Sequence, residues 1–207
     1  MCSSDLVATA QALAGFEGGG LHLNGLTRLD VATAQALAVR TVASLYLNGL
    51  TTLDVATAKA LAEFKGRGLY LNGLTRLDAA TAKALAEFKG DLLSLNGLTR
   101  LDADIAKTLA EFKGRWLSLK GLTTLDAATA KTLAALDKWD GDLSSIVAIE
   151  SPDSVEIAAT LATRKGPLRL PNLKKISPKT LAALIEKEDV MLPKEFQERQ
   201  KLRQQGR

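Results

Sequence analysis

"LYLNGLTRLDAATAKALAEFKG" runs from Leu69 to Gly90, and its reading decides the fold. Close copies begin at Leu21, Leu45, Leu93 and Leu117, each 24 residues after the last. Leu69-Tyr70-Leu71 alternates apolar, polar, apolar, which is the period of a strand; Leu69 and Leu71 face one way and Tyr70 the other. Asn72-Gly73 signals a turn. Leu74 and Leu77 recur at a spacing of three and are expected to stay turned to the core. Asp78 reads as a helix N-cap, a short acceptor just ahead of a helix-forming run. "AATAKALAEF" consists mostly of good helix formers. It sets Ala82, Leu85, Ala86 and Phe88 or Lys89 on one face, giving an amphipathic helix with a small-residue inner side. Gly90 is expected to supply the left-handed residue that ends it. Each copy thus predicts strand, turn and short helix.

One such unit cannot bury its apolar face, whereas stacked copies cover one another. The L-x-L-N-G-L-T-x-L-D motif followed by an Ala-rich helix resembles bacterial leucine-rich-repeat proteins. The resemblance is clear from Val7 to Asp142 and continues weakly to Pro193. It implies an α/β solenoid, a horseshoe with parallel strands on the concave face and short helices on the convex face. The commonest pattern of that family puts Asn three residues after the second strand Leu. Here Leu74 stands there and Asn72 directly follows Leu71, a departure that speaks against the family's usual asparagine ladder; each Asn is read as bonding turn backbone rather than a ligand. "LRLPNLKKIS" (Leu168–Ser177) is similar to the family's Leu-x-Leu-Pro variant.

The ends differ from the middle. Residues 1–6 do not fit the repeat: "MCSSDL" stands where other copies have "GLTRLD". They are read as a non-native start, with native chain expected upstream. Residues 7–142 are the regular array, 143–193 degenerate terminal copies and 194–207 a polar, basic tail. Eight strand positions are counted, the last three degenerate. In the second copy "VRTVAS" (Val39–Ser44) lacks the Phe and Gly, so Val42 implies a different helix end.

Bulk properties bound the function. Hydrophobic residues make up 46% and aromatics 4%, so Leu and Ala must fill the core. Charged residues at 24% argue against wholesale disorder. The net charge of +4 is uneven: residues 1–150 hold 15 basic and 16 acidic residues, and 151–207 hold 12 and 7. No signal peptide or membrane-spanning run is seen, and the compartment stays open. One cysteine, Cys2, excludes an internal disulfide framework.

Candidate sites are few. The single histidine, His22, has no activated Ser or Cys motif beside it. "GFEGGG" (Gly15–Gly20) precedes a strand rather than a helix and lacks G-K-[ST], which is the wrong order for a phosphate loop. The Asp30, Asp54, Asp78, Asp102 and Asp126 column is read as caps rather than as calcium ligands. Lys59/Glu63, Lys83/Glu87 and Lys107/Glu111 read as a solvated helix face. No catalytic set, metal site or cofactor is expected. The strand face opposite the core carries His22, Tyr46, Tyr70, Ser94 and Ser118 in one row. Leu92 and Trp116 stand in a second row. Strands about 4.8 Å apart would let Tyr46 and Tyr70 stack side by side. These seven residues are the expected partner-binding set.

The expected function is a non-catalytic scaffold that binds another protein on its concave sheet, acting as a monomer. The alternative is a regulatory or targeting repeat region of a longer multidomain protein, enzymatic or at the cell surface. A third reading, an anionic partner for Arg164, Lys165, Arg169, Lys174 and Lys175, lacks any base-reading motif, and no nucleic acid is expected.

Overall fold

The computed structural model describes residues 19–39 and 42–198. The readings of residues 1–6, of most of "GFEGGG" and of the chain beyond 198 lie outside these.

Five strands form one parallel sheet: β1 (Gly20–His22), β2 (Ser44–Tyr46), β3 (Gly68–Tyr70), β4 (Leu92–Ser94) and β5 (Trp116–Ser118). They alternate with helices α1 (Val31–Ala38), α2 (Val55–Ala62), α3 (Ala79–Ala86), α4 (Ala103–Ala110) and α5 (Ala127–Ala134). The register steps by one copy per strand, so Leu21, Leu45, Leu69, Leu93 and Leu117 stand in one row. Leu69, Leu71, Leu74 and Leu85 are fully buried. Each such leucine contributes about 1.5–3 kcal/mol by leaving water. Phe88 takes the inner position and Lys89 the outer one. Phe64, Phe88 and Phe112 form a second row, with rings 6.2 Å apart and nearly parallel.

The helices begin as expected. Asp30, Asp54, Asp78 and Asp126 each accept the backbone N–H three residues on, from Thr33, Thr57, Thr81 and Thr129. Asp102 makes no side-chain cap bond. There Ile105 replaces the threonine, and with it the hydroxyl that pins the second carboxylate oxygen at Asp54 at 2.7 Å. The capping threonines are buried, and two of them also tie copies together: Thr129 Oγ1 donates to Leu101 O at 2.8 Å and Thr81 Oγ1 to Leu53 O at 3.5 Å.

The helices end differently from the sequence reading. Gly90 is not left-handed; among the described residues positive φ occurs only at Gly141 and Gly166. The last turn tightens instead, with the N–H of Phe88 donating to Leu85 O at 3.1 Å. Gly90 is required for space. A Cβ there would lie 2.3 Å from the Phe88 ring and 2.6 Å from Gly66 O. The glycine of the turn obeys the same rule, since a Cβ on Gly73 would lie 2.3 Å from Asn48 O. Both glycines let one copy's backbone press on the next, and Val42 therefore faces no left-handed requirement.

Past β5 the chain changes register. Trp139 bridges Leu117, Asp142 bridges Arg169, and β7 (Leu168–Arg169) pairs with β9 (Val190–Met191). The row thus has the eight positions counted in the sequence: five strands, the bridging stretch, β7 and β9. A separate ladder, absent from the sequence reading, joins β6 (Ala148–Ile149) to β8 (Lys175–Ile176). Helices α6 (Ser154–Ala162) and α7 (Pro178–Leu184) continue the packed layer. Residues 194–198 are helical, and Phe196 packs on the core, so the start of the polar tail is docked.

The phenylalanine row ends in cations. Arg164 follows α6 as Phe88 follows α3. Its guanidinium lies 5.1 Å over the Trp139 ring and donates to the carbonyls of Trp139, Lys165 and Pro167. Burial pushes its pKa down from the ordinary value. Lys187 Nζ donates to Arg164 O at 2.7 Å and pairs with Asp189. These donors satisfy buried corner carbonyls.

Candidate functional site

The open face of the five-stranded sheet carries the candidate residues, because strand alternation sends Leu69 inward and Gly68 and Tyr70 outward. His22 stacks on Tyr46 with ring centroids 4.0 Å apart, and Tyr46 on Tyr70 at 4.2 Å. The predicted tyrosine pair is therefore a run of three rings. The rings lean over the glycines of the neighbouring row. A Cβ on Gly20 would lie 2.9 Å from the Tyr46 ring, and one on Gly68 would lie 3.0 Å from that of Tyr70. Burial, then the neighbouring Tyr46, pushes the Tyr70 hydroxyl above its ordinary pKa.

Ser94 and Ser118 do not belong to the exposed set; they are 2% and 6% accessible. The reason is a hydrogen-bonded ladder through the asparagines. Asn24, Asn48, Asn72 and Asn96 each accept, through Oδ1, the backbone N–H of the residue one copy on. The asparagines thus bond the next copy's backbone rather than their own turn. Ser94 Oγ donates to Asn72 Oδ1 at 2.7 Å and accepts from Asn96 Nδ2 at 3.0 Å. Ser118 Oγ lies 2.9 Å from Asn96 Oδ1 and 2.8 Å from Asp140 Oδ2. Lys120 replaces the asparagine at the ladder's end, and its Nζ pairs with Asp142 at 3.2 Å. Both serines are buried within the hydrogen-bonded ladder of the sheet face.

Past Tyr70 the ring run stops, because Ser94 holds the next place. A slot of about 230 Å³ lies over Gly68 in the neighbouring row, lined by Ser44, Tyr70, Leu92 and Trp116. Trp116 is 49% exposed, with the Arg115 guanidinium 5.2 Å from its ring. At the rim Arg67 Nε meets Asp91 Oδ2 at 3.0 Å. Arg67, Asp91 and Arg115 were not picked out from the sequence. Their signal is a column just ahead of the strands that changes charge between otherwise similar copies.

The basic end is less available than its composition implies, since Arg164 is buried against carbonyls, while Lys165, Lys174 and Lys175 are exposed. Among the described residues no group of three or more His, Cys, Asp or Glu side chains is placed to hold a metal ion. No helix among them is long and apolar enough to cross a membrane.

The fold and site define an α/β repeat protein with an aromatic row and a slot on one sheet face. No protein-family model and no curated protein matches the chain.

Proposed function

We propose that the chain is a leucine-rich-repeat horseshoe that binds another protein on its concave sheet face and performs no catalysis. The observation that carries this reading is the row of His22, Tyr46 and Tyr70 with exposed Trp116 beside it, all on one ordered sheet. Aromatic side chains held rigidly lose little entropy on binding and dominate protein interfaces. The glycines beneath the rings and the ladder beside them hold that surface in shape. The anionic-partner reading loses Arg164 to its buried carbonyls.

The test is affinity capture of a partner from cells that carry the chain, at low and high salt. Capture that survives salt, falls in Tyr70→Ala and Trp116→Ala and persists in Lys174→Ala/Lys175→Ala supports the sheet face. Capture lost with salt and with the two lysines, but indifferent to Tyr70 and Trp116, overturns it.

A further inference from the structure

We propose that the slot between Tyr70 and Trp116 receives one aromatic side chain of a protein partner, flanked in the partner by a carboxylate. This rests on the sheet-face reading above and specifies what that face recognises.

Three observations lead to it. The first is the interrupted ring run. Rings repeat at 4.0 and 4.2 Å on β1, β2 and β3, and β4 supplies only Ser94 at the next place. The row beside it has its own gap, because Gly68 carries no side chain between Ser44 and Leu92. Tyr70, half-buried Leu92 and exposed Trp116 all line the space over Gly68, so a guest ring there would lie beside the last ring of the run. Two strand steps of about 4.8 Å separate β3 from β5, which is room for one ring between two walls.

The second is size. A volume of about 230 Å³ is below the roughly 300–1,000 Å³ typical of whole small-molecule sites. It suits a single anchoring side chain of a larger partner. The lining carries the polar groups of Ser44, Tyr70 and Trp116 beside the Arg67–Asp91 pair, which is engaged with itself.

The third is charge. The row ahead of the strands reads Arg67, Asp91, Arg115. Asp91 is paired with Arg67, whereas Arg115 forms no ion pair among the described residues. The rim is left with one surplus positive charge beside Trp116. It repels a cationic anchor and favours a carboxylate next to the guest ring.

The experiment is selection of a random dodecapeptide display library on the full chain, followed by binding of the synthesised winners. The expected winners carry Phe, Tyr or Trp next to Asp or Glu. Their affinity falls about tenfold or more in Leu92→Arg and in Trp116→Ala, the loss of one anchoring contact. It falls again when the acidic flank is exchanged for Lys, and Arg115→Glu reverses that preference. Thermal melts of the variants confirm that the sheet persists. Winners without an aromatic residue, or without sensitivity to Leu92→Arg, overturn the slot assignment, as does a selection with no winners. If such winners still depend on Tyr46, the sheet-face reading stands; if they ignore every sheet-face variant, it fails too.

Discussion

The side-chain oxygen of Asn72 accepts the backbone N–H of Asn96 at 2.9 Å, one full copy further along, while also accepting the Ser94 hydroxyl. Removing that oxygen strands two donors in a part-buried place. Asn72→Ala is expected to cost about 1–3 kcal/mol, seen as a fall of about 2–4 °C in Tm per kcal/mol. Asn72→Asp keeps the acceptor and recovers most of the loss. Equal melting of the two variants would show that the ladder oxygen is not what matters.

Two glycines in the same motif separate crowding from chain flexibility. A Cβ at Gly73 meets Asn48 O at 2.3 Å and Leu50 O at 2.5 Å, whereas one at Gly25 meets nothing within 4 Å. Gly73→Ala is therefore expected to destabilise by about 1–3 kcal/mol. Gly25→Ala stays within about 0.5 kcal/mol of wild type. Urea midpoints for the pair decide it; a similar cost at both sites points to backbone entropy instead.

The caps predict an asymmetry among the aspartates. Asp54→Ala removes a bond to the Thr57 N–H and is expected to cost about 1 kcal/mol. Asp102→Ala removes no cap bond and stays within about 0.5 kcal/mol. The backbone N–H and then the hydroxyl of Thr57 hold the Asp54 carboxyl below its ordinary pKa, and Thr81 does the same for Asp78. A carboxyl lowered by folding adds stability above its unfolded value, near about 3.9. That stability is lost as pH falls through the folded value. Chemical denaturation between pH 5 and pH 2 should therefore show a shallower acid loss for Asp54→Asn than for wild type.

Asp140 should behave in the opposite sense. Burial pushes its carboxyl up, with Ser118 and the Asp142 N–H opposing. A raised carboxyl adds stability below its unfolded pKa, and this is lost as pH rises through the folded value. The geometry gives the reason: the one proton of Ser118 cannot serve both Asn96 Oδ1 and an ionised Asp140 Oδ2. Asp140→Asn supplies the missing donor. It is expected to stabilise the chain at pH 7 by about 0.5–1.5 kcal/mol, with a smaller gain at pH 4. Calorimetry at the two pH values checks this; a gain that grows on acidification contradicts it.

The parts legible in the sequence were those written inside one copy. Leu69, Leu71, Leu85 and the Asp caps follow from strand and helix periods that need no knowledge of a neighbour. What escaped depends on contact between copies. The turn asparagine looks like a local turn former until the sheet brings the next copy's N–H to it. Gly90 looks like a left-handed stop until Gly66 O is placed against it. Ser94 and Ser118 look exposed by alternation, and only the ladder explains their burial. The Tyr46–Tyr70 stack was legible because a parallel register repeats identical positions at the strand spacing, whereas the addition of His22 to it came only with the structure. The slot beside them was not, since the space over Gly68 is visible only once Tyr70, Leu92 and Trp116 have coordinates.

The ladder also bears on how such a chain changes in evolution. Each interior rung offers forward the same oxygen that it finds behind, so every junction between Asn24 and Asn96 is closed by the same backbone bond. An in-frame duplication or loss of one whole unit there creates no new kind of seam. The end of the run is different, because Lys120, Asp140 and Asp142 fit only a final rung. Length is thus free to vary in the middle and fixed in character at one end, and each added unit would widen the sheet by one more place for a side chain to differ.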